Sequence, residues 1–276
     1  MHATWNFQLK RSEDKGAFLA CLGTFAFVIL LAPAVGFALF EGMGAEGLAL
    51  GAVTTGLHGT YGILLSRSYH LGDLSTAYPV SRGMGLALIP VFAVLLLGEH
   101  VSLMAAGGIV LIAIGIYAVH IDTRLWRDLT HPARALAAPA TQMAFLTGIV
   151  VACYSLWDKH ALDQVPPVTL NAFGMAGNLF VLTPFVLLSG DASVLRTWDR
   201  HRGELAIAGI LTAAAYTLVL AALTTSRVSY IAPTREVGIV IGTVLGVVLL
   251  GEGYGITRVW GSGLIVAGVL TVALAP

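Results

Sequence analysis

The chain has 276 residues, of which 57% are hydrophobic and only 11% are charged. Soluble domains carry about twice that share of charged residues, so a soluble globular fold is excluded. Fifteen basic and fifteen acidic residues give a formal net charge of zero, which argues against a nucleic-acid partner. The composition therefore predicts a protein embedded in a lipid bilayer.

Hydrophobic stretches follow one another along the chain, and nine are long enough to cross the roughly 30 Å hydrocarbon core of a bilayer. A tenth span is predicted at the start of the chain. Trp5-Asn6 matches Trp157-Asp158 at an offset of 152 residues, and Trp157 lies near the end of a complete span. The sequence is therefore expected to begin partway through its first helix. The nine complete spans are predicted at about 16–40, 46–66, 74–98, 101–120, 140–160, 167–189, 204–224, 228–250 and 256–275.

Two segments of the chain resemble each other at an offset of 153 residues. In each, an arginine is followed seventeen positions later by a glutamate, with an apolar run between: Arg82 to Glu99, and Arg235 to Glu252. An internal repeat of apolar helices with polar ends is typical of secondary transporters. The same offset relates two further pairs, Gly108 to Gly261 and Gly115 to Gly268.

The number of spans in each repeat predicts how the halves are oriented. Five is an odd number, so the second half must be inverted relative to the first. We therefore predict an all-α polytopic membrane protein with ten transmembrane helices in two inverted five-helix repeats. The first repeat is predicted at residues 1–120 and the second at 140–276, with a cytoplasmic linker at 121–139.

The distribution of basic residues predicts the orientation in the membrane. Eleven of the fifteen Lys and Arg residues lie in loops that follow odd-numbered spans, and only two lie in the other loops. Basic residues concentrate on the cytoplasmic side of membrane proteins. We therefore expect the odd-numbered loops in the cytoplasm, both termini outside, and a bacterial-type cytoplasmic membrane as the location.

Arg82 and Arg235 are the leading candidates for substrate contact, because each lies within a predicted span. An arginine at the bilayer centre costs about 2.5–3.5 kcal/mol on insertion scales, so such residues usually have a function. The alternative is that each long side chain reaches back to the nearer interface. Inversion of the repeats predicts that the two guanidinium groups lie toward opposite mouths of one pathway, where each can meet an anionic substrate group.

The acidic residues of the two repeats have different predicted roles. Glu236 follows Arg235 directly, whereas Gly83 occupies the matching place in the first half. Glu236 can take a proton, bind an amino group or pair with a cation on another helix. Glu99 and Glu252 end their helices, and we expect them to bond to backbone groups of the adjoining loops.

Polar and aromatic residues of two further spans can line a cavity. His58 and Tyr61 stand three residues apart and share a face of the third predicted helix. Tyr216 takes the corresponding place in the second repeat. These residues are interpreted either as cavity-lining groups, with His58 titrating near neutrality, or as hydrogen-bonding partners of a neighbouring helix.

The remaining candidates lie beside residues already named. Tyr78 and Ser81 share the neighbourhood of Arg82 and are candidates for the same site. Trp5 and Trp157 recur at the repeat offset, and tryptophan near a helix end is usually an interfacial anchor. Stacking of substrate on these indole rings is the alternative interpretation.

The ordered, duplicated motifs resemble an EamA-type repeat of the drug/metabolite transporter superfamily. The resemblance implies ten helices, a central cavity shared by the halves and alternating access. It further implies that the first, third, fourth, sixth, eighth and ninth helices surround the cavity. The motifs are Ala77-Tyr78-Pro79-Val80-Ser81-Arg82-Gly83, Pro90, Gly98-Glu99 and Gly107-Gly108 to Gly115, with Ala232-Pro233-Thr234, Gly251-Glu252 and Gly261 to Gly268 in the second half.

The function that these patterns favour is secondary transport, with export of a small metabolite such as an amino acid, coupled to protons through Glu236 or His58. The sequence lacks a nucleotide loop and the His-Glu-x-x-His and Gly-x-Ser-x-Gly motifs, so we expect neither an enzyme nor a cofactor or metal. A passive channel, a lipid flippase and a non-transporting membrane scaffold remain the alternatives. Substrate identity and oligomeric state are not determined by the sequence.

Overall fold

The computed structural model describes residues 14–71, 74–120, 139–189, 194–241 and 256–276. Trp5, the predicted linker and Glu252 lie outside the described residues, as does the side chain of Tyr78. The described part of the chain is helical and contains no strand. Its elements are α1 (Lys15–Phe40), α2 (Ala45–Leu71), α3 (Leu74–Leu97), α4 (Leu103–His120), α5 (Pro139–Ala161), α6 (Pro167–Gly177), a π-helical turn (Asn178–Leu182), α7 (Thr183–Leu188), α8 (Val194–Thr225), α9 (Val228–Thr234) and α10 (Ile256–Ala273).

Helical length and apolar composition make this a multi-pass membrane protein. Large apolar side chains point outward, as Leu39, Leu95 and Leu103 do, which suits contact with lipid. The predicted all-α membrane fold is confirmed, whereas the ten-helix inverted repeat stays a prediction. Six described stretches are long and apolar enough to span: Lys15–Phe40, Ala45–Ser68, Val80–Leu97, Pro139–Ala161, Pro167–Leu188 and Val194–Thr225.

Most predicted spans begin and end within a few residues of the helices, but two differ. Helix α8 begins ten residues before the predicted start at 204, and its backbone leaves helical geometry at His201, where φ is −120° and ψ is 15°. The ninth predicted span is interrupted after Thr234, at residues 235–236, before residues 237–241 resume a helix. These local breaks are invisible to a hydrophobicity pattern, which registers only the apolar run.

The chain divides into two compact units. The first comprises residues 1–66 and 153–226, and the second comprises residues 67–152 and 227–276. Each unit thus takes segments from both predicted sequence repeats. In the first unit, Ala26, Leu30, Ala172, Met175 and Ala213 form part of an apolar core between α1, α6 and α8.

The core of the second unit is built on close packing of α4 against α10. A methyl group on Gly108 would lie 2.8 Å from the carbonyl oxygen of Gly268, and one on Gly115 would lie 2.7 Å from that of Gly261. Only glycine permits so close an approach of two helix backbones. Residue numbers rise along one helix as they fall along the other, so the two helices are antiparallel. The offset of 153 residues converts each contact into the other, as two inverted repeats would require.

Candidate functional site

A buried carboxylate lies at the centre of a polar cluster in the first unit. Asp158 of α5 has no solvent exposure. Its Oδ1 accepts a hydrogen bond from Thr54 Oγ1 at 3.2 Å. Its Oδ2 accepts from Tyr216 Oη at 2.6 Å and lies 2.9 Å from His58 Nε2. We call Asp158, Thr54, His58 and Tyr216 the carboxylate cluster, because three other side chains converge on this one acid.

Aromatic rings enclose the imidazole of the carboxylate cluster. The centroid of His58 lies 4.4 Å from that of Tyr154 and 5.4 Å from that of Tyr216. Tyr61 packs edge-on against Tyr154, with centroids 5.6 Å apart. Helix α6 closes another side, since a methyl group on Gly174 would lie only 3.3 Å from Nδ1 of His58. The imidazole is thus held in one orientation by packing as well as by its hydrogen bond.

The carboxylate cluster lies well within the spanning helices. Thr54 is nine residues from the start of α2 and Tyr216 nine residues from the end of α8, which corresponds to about 14 Å along each helix axis. Asp158 lies three residues before the end of α5 but is fully buried, and a buried carboxylate is expensive unless donors or a positive charge compensate it. The three converging side chains supply that compensation.

Lys159 follows Asp158 but serves a separate purpose. Its Nζ donates to the carbonyl oxygens of Leu223 at 2.6 Å and Ser226 at 3.1 Å. These carbonyls belong to the end of α8, where backbone acceptors have no partner in the helix and cations are favoured. The lysine therefore ties α5 to the end of α8 and does not neutralise the neighbouring aspartate.

The second unit contains an ion pair between α3 and the segment after α9. Nη1 of Arg82 lies 3.6 Å from Oε1 of Glu236, and the side chains are only 13% and 10% exposed. This distance exceeds the 2.7–2.9 Å typical of a strong charge-assisted hydrogen bond. The contact is therefore an ionic attraction and not a strong hydrogen bond. We call Arg82, Arg235 and Glu236 the ion-pair site.

The ion pair brings Arg82 close to the segment that carries Arg235, while the placement of the two arginines at opposite mouths stays a prediction. The carboxylate that meets Arg82 belongs to the residue that directly follows Arg235. Arg82 lies eight residues beyond the start of α3, and Arg235 directly follows the last residue of α9.

A break in the helix accompanies the charges. Helix α9 ends at Thr234, and Arg235 and Glu236 form the turn before residues 237–241. Short backbone bonds replace the helical ladder, from Glu236 N to Pro233 O at 3.1 Å and from Ile239 N to Glu236 O at 2.9 Å. Arginine at the end of one helical segment and glutamate at the start of the next match the signs of the helix dipoles. Discontinuous helices of this kind carry binding sites in many transporters.

Glu99 anchors the start of α9. Its carboxylate accepts from the backbone N–H groups of Val228 at 2.8 Å and Ser229 at 3.0 Å, and from the hydroxyl of Ser229. Nearby, Arg227 Nη1 donates to the carbonyl oxygen of His100 at 2.8 Å. The prediction that Glu99 bonds to backbone groups is confirmed. Those groups belong to the first residues of α9, however, and not to α4, the next helix along the chain.

The structure brings the sequence candidates together in two groups. His58, Tyr61 and Tyr216 meet in the first unit, and Arg82 meets Glu236 in the second. Ser81 is buried in the second unit. Trp157 is partly buried and donates from Nε1 to the carbonyl oxygen of Leu50 at 3.2 Å, linking α5 to α2. Substrate contact by these residues stays a prediction. It also stays one for Trp5 and for the side chain of Tyr78, which lie outside the described residues.

Sequence reasoning missed the central role of Asp158. The residue was visible as the neighbour of Trp157 in a repeat match, where only the tryptophan was interpreted, chiefly as an interfacial anchor. A lone acid in an apolar run was the available signal, because such residues rarely occur in spans without function. Among the described residues, no group of three potential ligands could hold a metal ion.

Apolar spanning helices that enclose buried charges define the chain as a membrane protein of the transporter class. The pattern of the EamA-like transporter family matches residues 139–274, and that of the Small Multidrug Resistance protein family matches residues 51–112. Both families consist of transporters. These matches confirm the predicted resemblance of the chain to EamA-type drug/metabolite transporters.

One solved structure shares the fold over nearly the whole chain. This crystal structure of another protein is similar with a TM-score of 0.72, covering 98% of this chain and 94% of that one at 16% sequence identity. At this identity the likeness concerns the fold alone. No curated protein matches the chain.

Proposed function

We propose that the protein is a secondary transporter that exports a small metabolite, such as an amino acid, across a bacterial-type cytoplasmic membrane by alternating access. The observation that carries the proposal is the ion-pair site. Arg82 and Glu236 present opposite charges 3.6 Å apart, and Arg235 stands next to Glu236 in the chain. Such charges within spanning helices are costly to retain without a use.

The charges of the ion-pair site complement a zwitterion. An amino acid has a carboxylate that a guanidinium binds through two parallel hydrogen bonds, and an ammonium group that a carboxylate accepts. Arg82 and Glu236 are 3.6 Å apart and so do not form a strong hydrogen bond with each other. Each of them can therefore leave the other and bind the opposite charge of the substrate instead. Arg235 adds a second cation at the same turn, which compensates the substrate carboxylate when Glu236 binds the ammonium group.

The interruption of the helix at residues 235–236 supports a substrate-binding site there. The packing of α4 against α10 supports alternating access. Residues 235–236 interrupt the helix and place the charges at its break, the arrangement by which transporters expose polar groups at membrane depth. The antiparallel packing of α4 and α10, with its exchanged glycine contacts, is expected of inverted repeats. Inverted repeats give two related conformations, each open to one side.

The test is flux into liposomes that contain the purified protein. The probe is a mixture of the twenty radiolabelled L-amino acids, and we expect saturable uptake that is accelerated by unlabelled amino acids on the opposite side. Arg235→Ala should abolish uptake without unfolding the protein, as checked by size-exclusion chromatography and thermal melting. Arg202→Ala is the matched control, since Arg202 is exposed on α8.

Each alternative function gives a different result in this assay. A passive channel would give uptake that neither saturates nor responds to amino acids on the opposite side. A flippase would move fluorescent phospholipids between leaflets, and a scaffold would move neither probe. Wild-type uptake by the Arg235→Ala protein would remove the proposed role of this residue.

A further inference from the structure

We propose that the carboxylate cluster is a proton-binding site, in which Asp158 and His58 together gain and lose one proton during each transport cycle. This inference rests on the proposed function and names the coupling ion and its site. The observation behind it is the 2.9 Å contact between a fully buried carboxylate and an imidazole within spanning helices. An acid and an imidazole in direct contact titrate as one unit and not as two independent groups.

The deprotonated state of the cluster has one negative charge and three donors. An ionised carboxylate only accepts hydrogen bonds, so His58 is then neutral and donates from Nε2 to Oδ2 of Asp158. The hydroxyl of Tyr216 donates to the same oxygen and that of Thr54 donates to Oδ1. Hydrogen bonds to a charged acceptor are about twice as strong as neutral ones. These three donors make a buried anion tolerable.

The protonated state is reached by adding one proton at the other ring nitrogen. A proton from water binds Nδ1 of His58, whose lone pair is unused while Nε2 donates to Asp158. The imidazole becomes a cation, the carboxylate stays an anion, and the cluster as a whole becomes neutral. No hydrogen bond to Asp158 needs to break. Loss of the same proton to water restores the anion, so the cycle conserves atoms and charge.

The surroundings of the cluster contain few other ionisable groups. Among the described residues, Tyr61 comes from α2 and Tyr154 from α5, and both contribute aromatic faces. Lys159 is engaged by the end of α8, and the ring of His160 packs against Trp157 with centroids 5.9 Å apart. Helix α6 places Gly174 against the imidazole. The charge of the cluster therefore depends chiefly on the proton shared by Asp158 and His58.

The ion-pair site is less suited to the same role. Glu236 faces the guanidinium of Arg82, which stays protonated at any accessible pH. Protonating Glu236 would forfeit that attraction and raise the net charge of the ion-pair site, which is already positive because it holds two arginines and one glutamate, whereas protonating the carboxylate cluster removes a net charge. Of the two coupling candidates seen in the sequence, His58 is therefore the one that the geometry favours, with Asp158 as its partner.

The first test measures proton binding directly and does not depend on transport. Protein with nitrogen-15-labelled histidine is reconstituted in liposomes, and its magnetic resonance spectrum is recorded from acidic to alkaline pH. The chain has eight histidines, so His58→Gln identifies the signal of His58. We expect Nδ1 to change from unprotonated to protonated as the pH falls, and this change to require a more acidic solution in Asp158→Asn. Identical titration in both proteins would overturn the proposal.

The second test measures coupling. Liposomes are given a pH gradient at clamped membrane potential, and accumulation of the radiolabelled amino-acid mixture is compared with and without the gradient. For one proton per substrate, a gradient of one pH unit changes accumulation about tenfold. We expect the ratio to fall to about one in Asp158→Asn and to stay at the wild-type value in Asp163→Asn, which alters an exposed aspartate beyond the end of α5.

The two tests separate failure of this inference from failure of the proposed function. Wild-type protein that moves none of the probes refutes amino-acid transport, while the resonance titration still decides whether the cluster binds a proton. Wild-type protein that transports, with an Asp158→Asn variant that responds equally to the gradient, refutes the coupling site alone. Tyr216→Phe removes one donor to the anion and should shift the His58 titration toward alkaline pH, whereas a merely structural role would not move it.

Discussion

The carboxylate cluster and the ion-pair site compensate the charge of a buried acid in different ways. Both place a buried acid among apolar helices, where an isolated negative charge is costly. Asp158 is fully buried and is compensated by two hydroxyl groups and an imidazole at 2.6–3.2 Å. Glu236 retains some exposure and is compensated by a guanidinium at 3.6 Å. The first site is a tight hydrogen-bonded network, and the second is a loose attraction between full charges.

This difference suggests what each site can exchange. A cluster of a carboxylate, hydroxyl groups and an imidazole can change its net charge by one proton, taken up by the imidazole, while its geometry is preserved. A carboxylate held by arginine cannot, because the guanidinium does not release its proton. The ion-pair site can instead exchange one charged partner for another. Under our proposals, the first unit therefore binds the proton, and the second unit binds the charged groups of the substrate.

The largest loss of thermal stability is expected from neutralising Glu236. Removing one partner of a buried ion pair costs about 3–5 kcal/mol, because the other charge stays buried. We expect Glu236→Gln to lower the midpoint of thermal unfolding in detergent more than Asp158→Asn does, since Glu236 compensates a permanent cation, whereas the partners of Asp158 are two hydroxyl groups and an imidazole. The double variant Arg82→Gln/Glu236→Gln should recover part of the loss. Simple addition of the two single effects would contradict a direct pairing.

An intermediate effect is expected from removing the tyrosine hydroxyl of the carboxylate cluster. A hydrogen bond to a charged group contributes about 1.5–3 kcal/mol, so Tyr216→Phe should destabilise the protein by an amount in this range. Tyr154→Phe is the matched control, because its contact with His58 is made by the ring. Thermal unfolding of both variants in one detergent gives the comparison. Equal losses would show that Tyr216 acts through packing and not through its hydroxyl.

The smallest effect is expected at the start of α9. Glu99 binds two backbone N–H groups there, and loss of a helix cap costs about 0.5–2 kcal/mol. We expect Glu99→Gln to weaken the ion-pair site by loosening the segment that carries it, with reduced uptake but an unchanged His58 titration. Glu41→Gln, at an exposed helix end, is the control. A changed titration in Glu99→Gln would contradict the separation of the two sites.

Much of the fold could be predicted because membrane spans are a local property. A stretch such as 16–40 is recognisable from its own length and apolarity, and α1 occupies Lys15–Phe40. Breaks were harder to predict. Pro79 and Pro90 lie within the continuous helix α3, whereas the segment after Pro233 is interrupted. Whether a proline interrupts a helix depends on its neighbours in space, which the sequence pattern does not contain.

Among the site residues, the sequence identified the charges but not all their partners. It selected Arg82, Arg235 and Glu236 because an ionisable group in an apolar run is anomalous wherever it stands. It anticipated that Glu236 pairs with a cation on another helix, without naming Arg82. It did not identify Asp158 as the partner of His58, because the two residues are 100 positions apart in the chain.

The sequence by itself determined that this is a helical membrane protein with rare charged groups in its spans, since hydrophobic length and charge are properties of single segments. The tertiary structure alone decided which charges meet. Arg82 pairs with the acid beside Arg235, and Asp158 receives His58, Thr54 and Tyr216. The physical reason is that a buried charge must be compensated within a few ångströms, and such distances are fixed by helix packing.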